Sequence, residues 1–199
     1  MGTRSAVGFI IDGQEKITYS HFDGYPSGVG MNVLNFCRNA ADWDAIKDAA
    51  KDIVLVSDSE VPDDEQVKAL EPHAEVLGTE KFMEEWYGVL RNLHGNLDGY
   101  LKVGFMTDDH MFPMNSLFCE YAYIVNLDEG KLEAYKGFQR EPHTKGRFAD
   151  PNRDGQVLSS PGDRVYYSVA LVNAWYLDAL PTDARFEAAF DTDEDEDED

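Results

Sequence analysis

Two alternating stretches joined by a short turn constrain the fold of this chain more than any other feature. Between residues 116 and 126 the side chains alternate between two sets, with Leu, Cys, Tyr, Tyr and Val in one and Phe, Glu, Ala and Ile in the other. Residues 128–130, Asp-Glu-Gly, favour a turn, and residues 131–138 alternate again. Because successive side chains of a strand point to opposite faces, the pattern predicts a β-hairpin over residues 116–138.

A second hairpin is predicted at the start of the chain. Residues 3–11 and 16–22 have the composition of strands, and the Asp-Gly pair at positions 12 and 13 is a hairpin turn signal. Pairing position 11 with position 16 places Arg4 opposite Asp23. A slip in register would undo that pair, so the prediction depends on the length of the turn.

Other segments have apolar residues at the three-and-four spacing of amphipathic helices. These segments are residues 31–37, 42–51, 62–70, 79–93 and 181–190. We expect Ser27 to cap the first of them and Thr182 to cap the last. Residues 97–106 are predicted to be extended, residues 140–164 to form a long surface loop, and residues 164–177 to form a final strand.

These elements predict an α+β fold, a mainly antiparallel sheet of about five strands with two or three helices packed on one face. The chain has 199 residues, enough for one sizeable core. We expect a single domain over residues 1–190 and a tail over residues 191–199. Eight of these last nine residues are acidic. Such a block repels itself and buries no apolar surface, so we expect it to be disordered.

The charge balance excludes two classes of partner. The chain has 17 Lys and Arg against 39 Asp and Glu, a formal net charge of -22. Binding to a nucleic-acid backbone or to an anionic membrane needs clustered cations, so we expect neither. Without the tail, the body still carries 31 acids and 17 bases. This acidic surface either keeps the protein soluble or binds a basic host or phage protein, for example as a mimic of a nucleic-acid backbone.

Cysteine and histidine are too sparse for a disulfide framework or a zinc site. Cys37 and Cys119 lie among apolar residues, so we expect small buried thiols in a reducing compartment. Asp108, Asp109 and His110 offer oxygen and nitrogen atoms, but a second set of ligands is not evident and we expect a polar loop. The first residues show no apolar signal-peptide core. We therefore expect a cytoplasmic protein with no cofactor and no metal.

Polar side chains gather where the first hairpin leads into a helix, and we call this region the polar corner. The candidate ligand-binding residues there are Arg4, His21, Asp23, Tyr25 and Ser27, with glycines at positions 24, 28 and 30 between them. Three interpretations are open: an anion held at a helix start beside an arginine, a histidine base activating a serine, or a structural corner. An open pocket there would favour ligand binding, and a filled corner would favour a structural role.

Several stretches resemble a known group of proteins. They are Met-Gly-Thr-Arg-Ser over residues 1–5, Tyr-Ser-His-Phe-Asp-Gly-Tyr-Pro-Ser-Gly-Val-Gly over residues 19–30, and residues 118–128 with 132–137. In these stretches the chain is similar to a family of small proteins encoded by bacteriophages and prophages, especially phages of actinobacteria. The resemblance implies a phage origin and an intracellular setting, and it carries over no catalytic residues.

The sequence therefore predicts a phage-encoded acidic accessory protein that binds another protein in the host cytoplasm, and we assign it no catalytic residues. The alternative is a small-ligand or anion-binding protein, or a hydrolase, that uses the polar corner. A further alternative is a virion or assembly component whose acidic tail keeps it soluble. Salt separates the first two, because charge-steered protein binding weakens with ionic strength far more than binding in a pocket does.

Overall fold

The computed structural model describes residues 2–78, 84–149, 158–160 and 164–191. Among these residues the chain forms nine strands, namely β1 (Ser5–Ile11), β2 (Gln14–Ser20), β3 (Val54–Val56), β4 (Phe105–Thr107), β5 (Tyr121–Asn126), β6 (Lys131–Lys136), β7 (Leu158–Ser160), β8 (Arg164–Tyr166) and β9 (Ala170–Tyr176). The same residues form seven α-helices, namely α1 (Met31–Asn39), α2 (Trp43–Asp52), α3 (Asp64–Leu70), α4 (Ala74–Leu77), α5 (Trp86–Leu90), α6 (Leu97–Val103) and α7 (Asp183–Ala188).

A five-stranded sheet forms the centre of the molecule, with strand order β2-β1-β5-β6-β9. Each neighbouring pair is antiparallel except β1 and β5, which run parallel. Both predicted hairpins are confirmed, and the parallel pair joins them. A parallel pair needs a crossover connection, and here the crossover is the segment that carries α1 to α6. The fold is α+β, as predicted, with more helices than the two or three expected.

The two faces of the sheet are covered differently. β1 lies between two strands and is buried along its whole length, so its sequence is a nearly continuous apolar run. Its Val7 and Phe9 belong to a core shared with α1, α5 and α6, whereas Ala6 and Ile10 belong to a second cluster. This second cluster is closed by loops and by the 3-10 helix Arg147–Ala149, and among the described residues it contains no α-helical side chain.

The predicted register of the first hairpin is wrong by two residues. Asp12 and Gly13 have φ values of 51° and 73°, the left-handed backbone of a two-residue hairpin turn. Position 11 therefore pairs with position 14, and β2 ends at Ser20. Arg4 is consequently not paired with Asp23, because the tighter turn shifts the whole second strand relative to the first.

The short helices are the best-predicted local elements, and α1, α2, α3 and α7 are confirmed close to their expected bounds. Three of these helices begin at a residue whose side chain accepts backbone N–H groups of the first turn, namely Asp42, Asp63 and Thr182. The predicted helix start at Thr79 lies outside the described residues. The later part of that predicted helix is α5 followed by a 3-10 turn.

Two segments differ from the expectation. Residues 97–106 were expected to be extended, but Asn96 accepts the Gly99 N–H at 3.0 Å and caps α6, so that β4 alone follows as a strand. The final strand is divided into β8 and β9, because the backbone N–H groups of Tyr167 and Val169 bond to carbonyls of loops.

Three predictions can be followed only in part. β5 begins at Tyr121, later than expected, because the N–H groups of Phe118 and Cys119 turn back to the Asn115 carbonyl. Part of the predicted loop over residues 140–164 lies outside the described residues. Of the predicted acidic tail, residues 192–199 also lie outside them.

Both cysteines are buried and free, as predicted. Burial raises the pKa of Cys37 to about 12, so its thiol stays protonated near neutral pH. None of the helices in the described part of the chain is long and apolar enough to cross a membrane.

Candidate functional site

The polar corner is tied to the sheet through its backbone. The Gly24 N–H donates to the Thr3 carbonyl at 3.0 Å, and the buried Tyr123 hydroxyl of β5 donates to the Gly24 carbonyl at 2.9 Å. A Cβ atom on Gly24 would lie 2.8 Å from both the Arg4 carbonyl carbon and the Ser5 Cβ. Glycine is therefore needed here, because the loop passes directly against β1.

The connection from the polar corner into α1 is a π-helical turn, which is wider than the capped helix start that the sequence predicts. Residues Pro26–Gly30 form one π-helical turn, in which the Gly28 and Gly30 N–H groups both bond to the Tyr25 carbonyl. Helix α1 then follows without a side-chain cap. The prediction that Ser27 caps this helix is wrong, because Ser27 lies inside the turn and is exposed.

Arg4 has a partner that sequence reasoning did not find. Its Nε atom lies 3.6 Å from Glu120 Oε1, and its backbone N–H donates to the same oxygen at 3.1 Å. The guanidinium also lies 4.9 Å from the centre of the Phe118 ring. The parallel pairing of β1 with β5 sets Ser5 beside Tyr121, which brings Arg4 next to Glu120. The carboxylate of Glu120 therefore already occupies a position from which an anion would approach Arg4.

His21 belongs to a cluster of tyrosine and histidine rings. Its Nδ1 lies 2.5 Å from the Tyr19 hydroxyl, and its backbone N–H donates to His94 Nδ1 at 3.3 Å. The His94 ring also packs edge-on against Tyr19 and Tyr87. Burial, with smaller effects from His21 and Arg91, lowers the pKa of His94 to about 4, so His94 is neutral at physiological pH. In the sequence, His94 directly follows the helix predicted over residues 79–93.

The remaining candidates stay at the surface. Asp23, Tyr25 and Ser27 are exposed, and the Tyr25 hydroxyl donates to Asp23 Oδ1 at 3.3 Å. Within the described residues, no hydrogen bond joins His21 to either Asp23 or Ser27.

The two aspartates before His110 form hydrogen bonds with neighbouring residues of the fold. Asp109 Oδ2 accepts hydrogen bonds from the Thr107 hydroxyl at 2.7 Å and from the Tyr19 N–H at 3.0 Å. Asp108 Oδ1 lies 2.6 Å from His110 Nδ1. In the described part of the chain, no group of three or more His, Cys, Asp and Glu side chains is placed to hold a metal ion.

Exposed carboxylates concentrate on a different part of the molecule, which we call the acidic surface. Its members are Asp58, Glu60, Asp63, Asp64, Glu65, Glu71, Glu75, Glu84 and Glu85, all exposed. Within residues 58–78 and 84–85, Lys68 is the one Lys or Arg. Val61 and Val76 lie in the same segment with 53% and 47% of their surface exposed. The acidic surface thus combines a strong negative charge with apolar contact area.

Comparison with known proteins yields no relative. No protein-family model, no curated protein and no solved structure matches this chain.

Proposed function

We propose that this chain is a phage-encoded accessory protein that binds a basic host or phage protein in the host cytoplasm through the acidic surface. The observation that carries the proposal is that the described part of residues 58–85 has nine exposed carboxylates and one lysine. A field of this sign speeds the encounter with a cationic partner and disfavours acidic ones.

The exposed valines give the proposed interface an apolar component. Protein interfaces combine apolar contacts with a polar rim, and Val61 and Val76 supply such contacts among the carboxylates.

The polar corner supports this choice over ligand binding or hydrolysis. Its backbone is held by Tyr123, its arginine is paired with Glu120, and its serine lies inside a turn at the surface. These contacts within the fold are the kind expected of a structural role.

The proposal is tested by affinity capture from a host lysate with the full chain as bait, at low and at moderate salt. One variant replaces four exposed acids of the acidic surface by their amides: Glu60→Gln, Asp64→Asn, Glu71→Gln and Glu75→Gln. A matched control changes the net charge equally at exposed positions elsewhere: Asp44→Asn, Asp48→Asn, Glu141→Gln and Glu187→Gln. A third bait ends at Phe190 and lacks the acidic tail.

We expect the unaltered bait and the control to retain one dominant basic protein. The acidic-surface variant should lose it, and higher salt should weaken its capture by screening the charges. Equal capture by the variant and the control would contradict the proposal. Loss of capture with the bait ending at Phe190 alone would also contradict it, because binding would then reside in residues 191–199.

A further inference from the structure

A cleft opens between α1 and the segment that leads into α6. Its volume is about 730 Å³, within the range of small-molecule pockets. One wall is the face of α1 opposite the core, and the other wall begins at His94 and continues through the first turns of α6. The candidate residues of the polar corner are not part of its lining.

Amide side chains dominate the polar lining of this cleft. Asn32, Asn35 and Asn39 lie on one face of α1, since they are three and four residues apart, and Asn96 faces them from the opposite wall. Within the described residues, the side chains of Asn32 and Asn39 make no hydrogen bond. Each free amide offers two donors and an acceptor, so these groups can serve a ligand that both donates and accepts.

Apolar side chains complete the lining. Phe36, Ile46, Leu97 and Leu101 contribute to the cleft, and the Phe36 ring is anchored edge-on by Phe9 at a centroid distance of 6.0 Å. A ligand with a hydrocarbon face would cover this apolar surface and remove it from water.

The charges around the cleft disfavour an anion. Among the described residues that line it there is no Lys or Arg, so a phosphate or a carboxylate would find no counter-charge. Both carboxylates of the lining are already engaged. Asp42 Oδ1 accepts the N–H groups of Asp44 and Ala45 at 3.0 and 3.1 Å, and Asp98 is paired with Lys102.

His94 adds an uncharged ring to the lining. A backbone N–H can only donate, so the bond from the His21 N–H leaves Nδ1 of His94 without a proton. The proton of the neutral ring therefore lies on Nε2. His94 thus lines the cleft without a charge, beside the four amides.

From this combination we infer that the cleft binds a neutral polyhydroxylated ligand of the saccharide class. Adjacent hydroxyl groups donate to and accept from the amides of α1, and the C–H face of a sugar ring covers the apolar side chains. This binding site goes beyond the proposed function, because it uses neither the acidic surface nor a protein partner.

The test is a titration of the ¹⁵N-labelled full chain with glucose, maltose and N-acetylglucosamine, followed by nuclear magnetic resonance. Adenosine and spermidine form two comparison arms, one for a neutral nucleoside and one for a cation. Asn32→Ala and Asn39→Ala remove one free amide each at exposed helix positions, where alanine favours the helix. Asn173→Ala, at an exposed position of β9, is the matched control.

We expect at least one of the three saccharides to shift the side-chain amide signals of Asn32 and Asn39. Each alanine variant should raise the dissociation constant about tenfold, and Asn173→Ala should leave it unchanged. Absence of any shift up to about 10 mM saccharide would overturn the inference. So would equal affinity in Asn32→Ala, Asn39→Ala and the unaltered chain, or shifts produced by adenosine or spermidine alone.

Discussion

The bond between Arg147 and Glu133 offers a sharp test of how the second face of the sheet is closed. Arg147 Nε and Nη2 donate to the two carboxylate oxygens of Glu133 at 2.8 and 2.7 Å. The Glu133 side chain is 8% exposed and that of Arg147 is 20% exposed. Tyr135 and Asn126 donate to the same carboxylate at 2.5 and 2.7 Å. Glu133 is thus a buried charge with four donors, two of which belong to one arginine.

Replacing Arg147 by alanine leaves that carboxylate buried with half of its donors. Breaking a buried ion pair from one side costs about 3–5 kcal/mol of unfolding free energy. Because Tyr135 and Asn126 remain, we expect about 3 kcal/mol for Arg147→Ala, at the lower end of that range. Adding Glu133→Gln to this variant removes one of the two carboxylates that Arg147 contacts in the unaltered chain, the other being Glu15 at 3.7 Å, and should restore about 1–2 kcal/mol.

The free energy of unfolding changes with pH in opposite directions in the unaltered chain and in Arg147→Ala. Burial alone raises the pKa of Glu133, but the hydrogen bonds from Arg147, Tyr135 and Asn126 outweigh it and hold the pKa below its ordinary value of 4.5. In the unaltered chain, Glu133 therefore adds stability above that pH and loses it on further acidification. In Arg147→Ala, burial dominates and raises the pKa, so stability rises as the pH falls. The difference between the two proteins should narrow from pH 7 to about pH 5.

Urea denaturation followed by tryptophan fluorescence at these two pH values measures the effect. Lys102→Ala is the control, because its pair with Asp98 is exposed and should contribute at most about 1 kcal/mol. A cost for Arg147→Ala below about 1 kcal/mol, or a cost that does not change with pH, would refute the reasoning. Either result would mean that Glu133 is not a buried charge in solution.

Two other contacts give simpler expectations for the free energy of unfolding. Tyr123→Phe removes the buried donor to the Gly24 carbonyl and should cost about 1–3 kcal/mol by urea denaturation, whereas a cost near zero would mean that water replaces the hydroxyl. Asp128→Ala removes the acceptor of the Asp12 and Gly13 N–H groups and should cost about 0.5–1.5 kcal/mol, with faster hydrogen exchange at those two amides. Unchanged exchange there would show that the carboxylate does not hold the turn.

The parts of the fold that could be predicted from sequence are those set by neighbours along the chain. The hairpin of β5 and β6 follows from side-chain alternation and a turn signal, and α2, α3 and α7 follow from the spacing of their apolar residues. The register of the first hairpin failed because the same Asp-Gly signal fits loops of different length. The helix α6 was missed because its cap, Asn96, was not recognised as a helix start.

The partners of the candidate site residues could not be predicted, for a different reason. Glu120, the partner of Arg4, is 116 residues away in the chain, and it reaches Arg4 only because β1 and β5 are parallel neighbours. His94 meets His21 although the two residues are 73 positions apart in the chain. No pattern of neighbouring residues in the sequence predicts contacts between such distant positions. Two of the three asparagines of α1 fall within a predicted helix. The cleft that the three line could not be predicted, because its opposite wall includes α6, which was expected to be extended.

The parallel pairing of β1 and β5 also affects how the chain is made. β1 leaves the ribosome early, yet its neighbour β5 follows 116 residues later. At bacterial or eukaryotic synthesis rates of about 5–20 residues per second, that delay is roughly 6–20 s. During this time one edge of the strand Ser-Ala-Val-Gly-Phe-Ile-Ile carries unpaired backbone groups and no charged side chain to deter a second copy. The nascent chain is therefore most exposed to aggregation before its middle third has been translated, and a chaperone that shields the first hairpin would raise its yield.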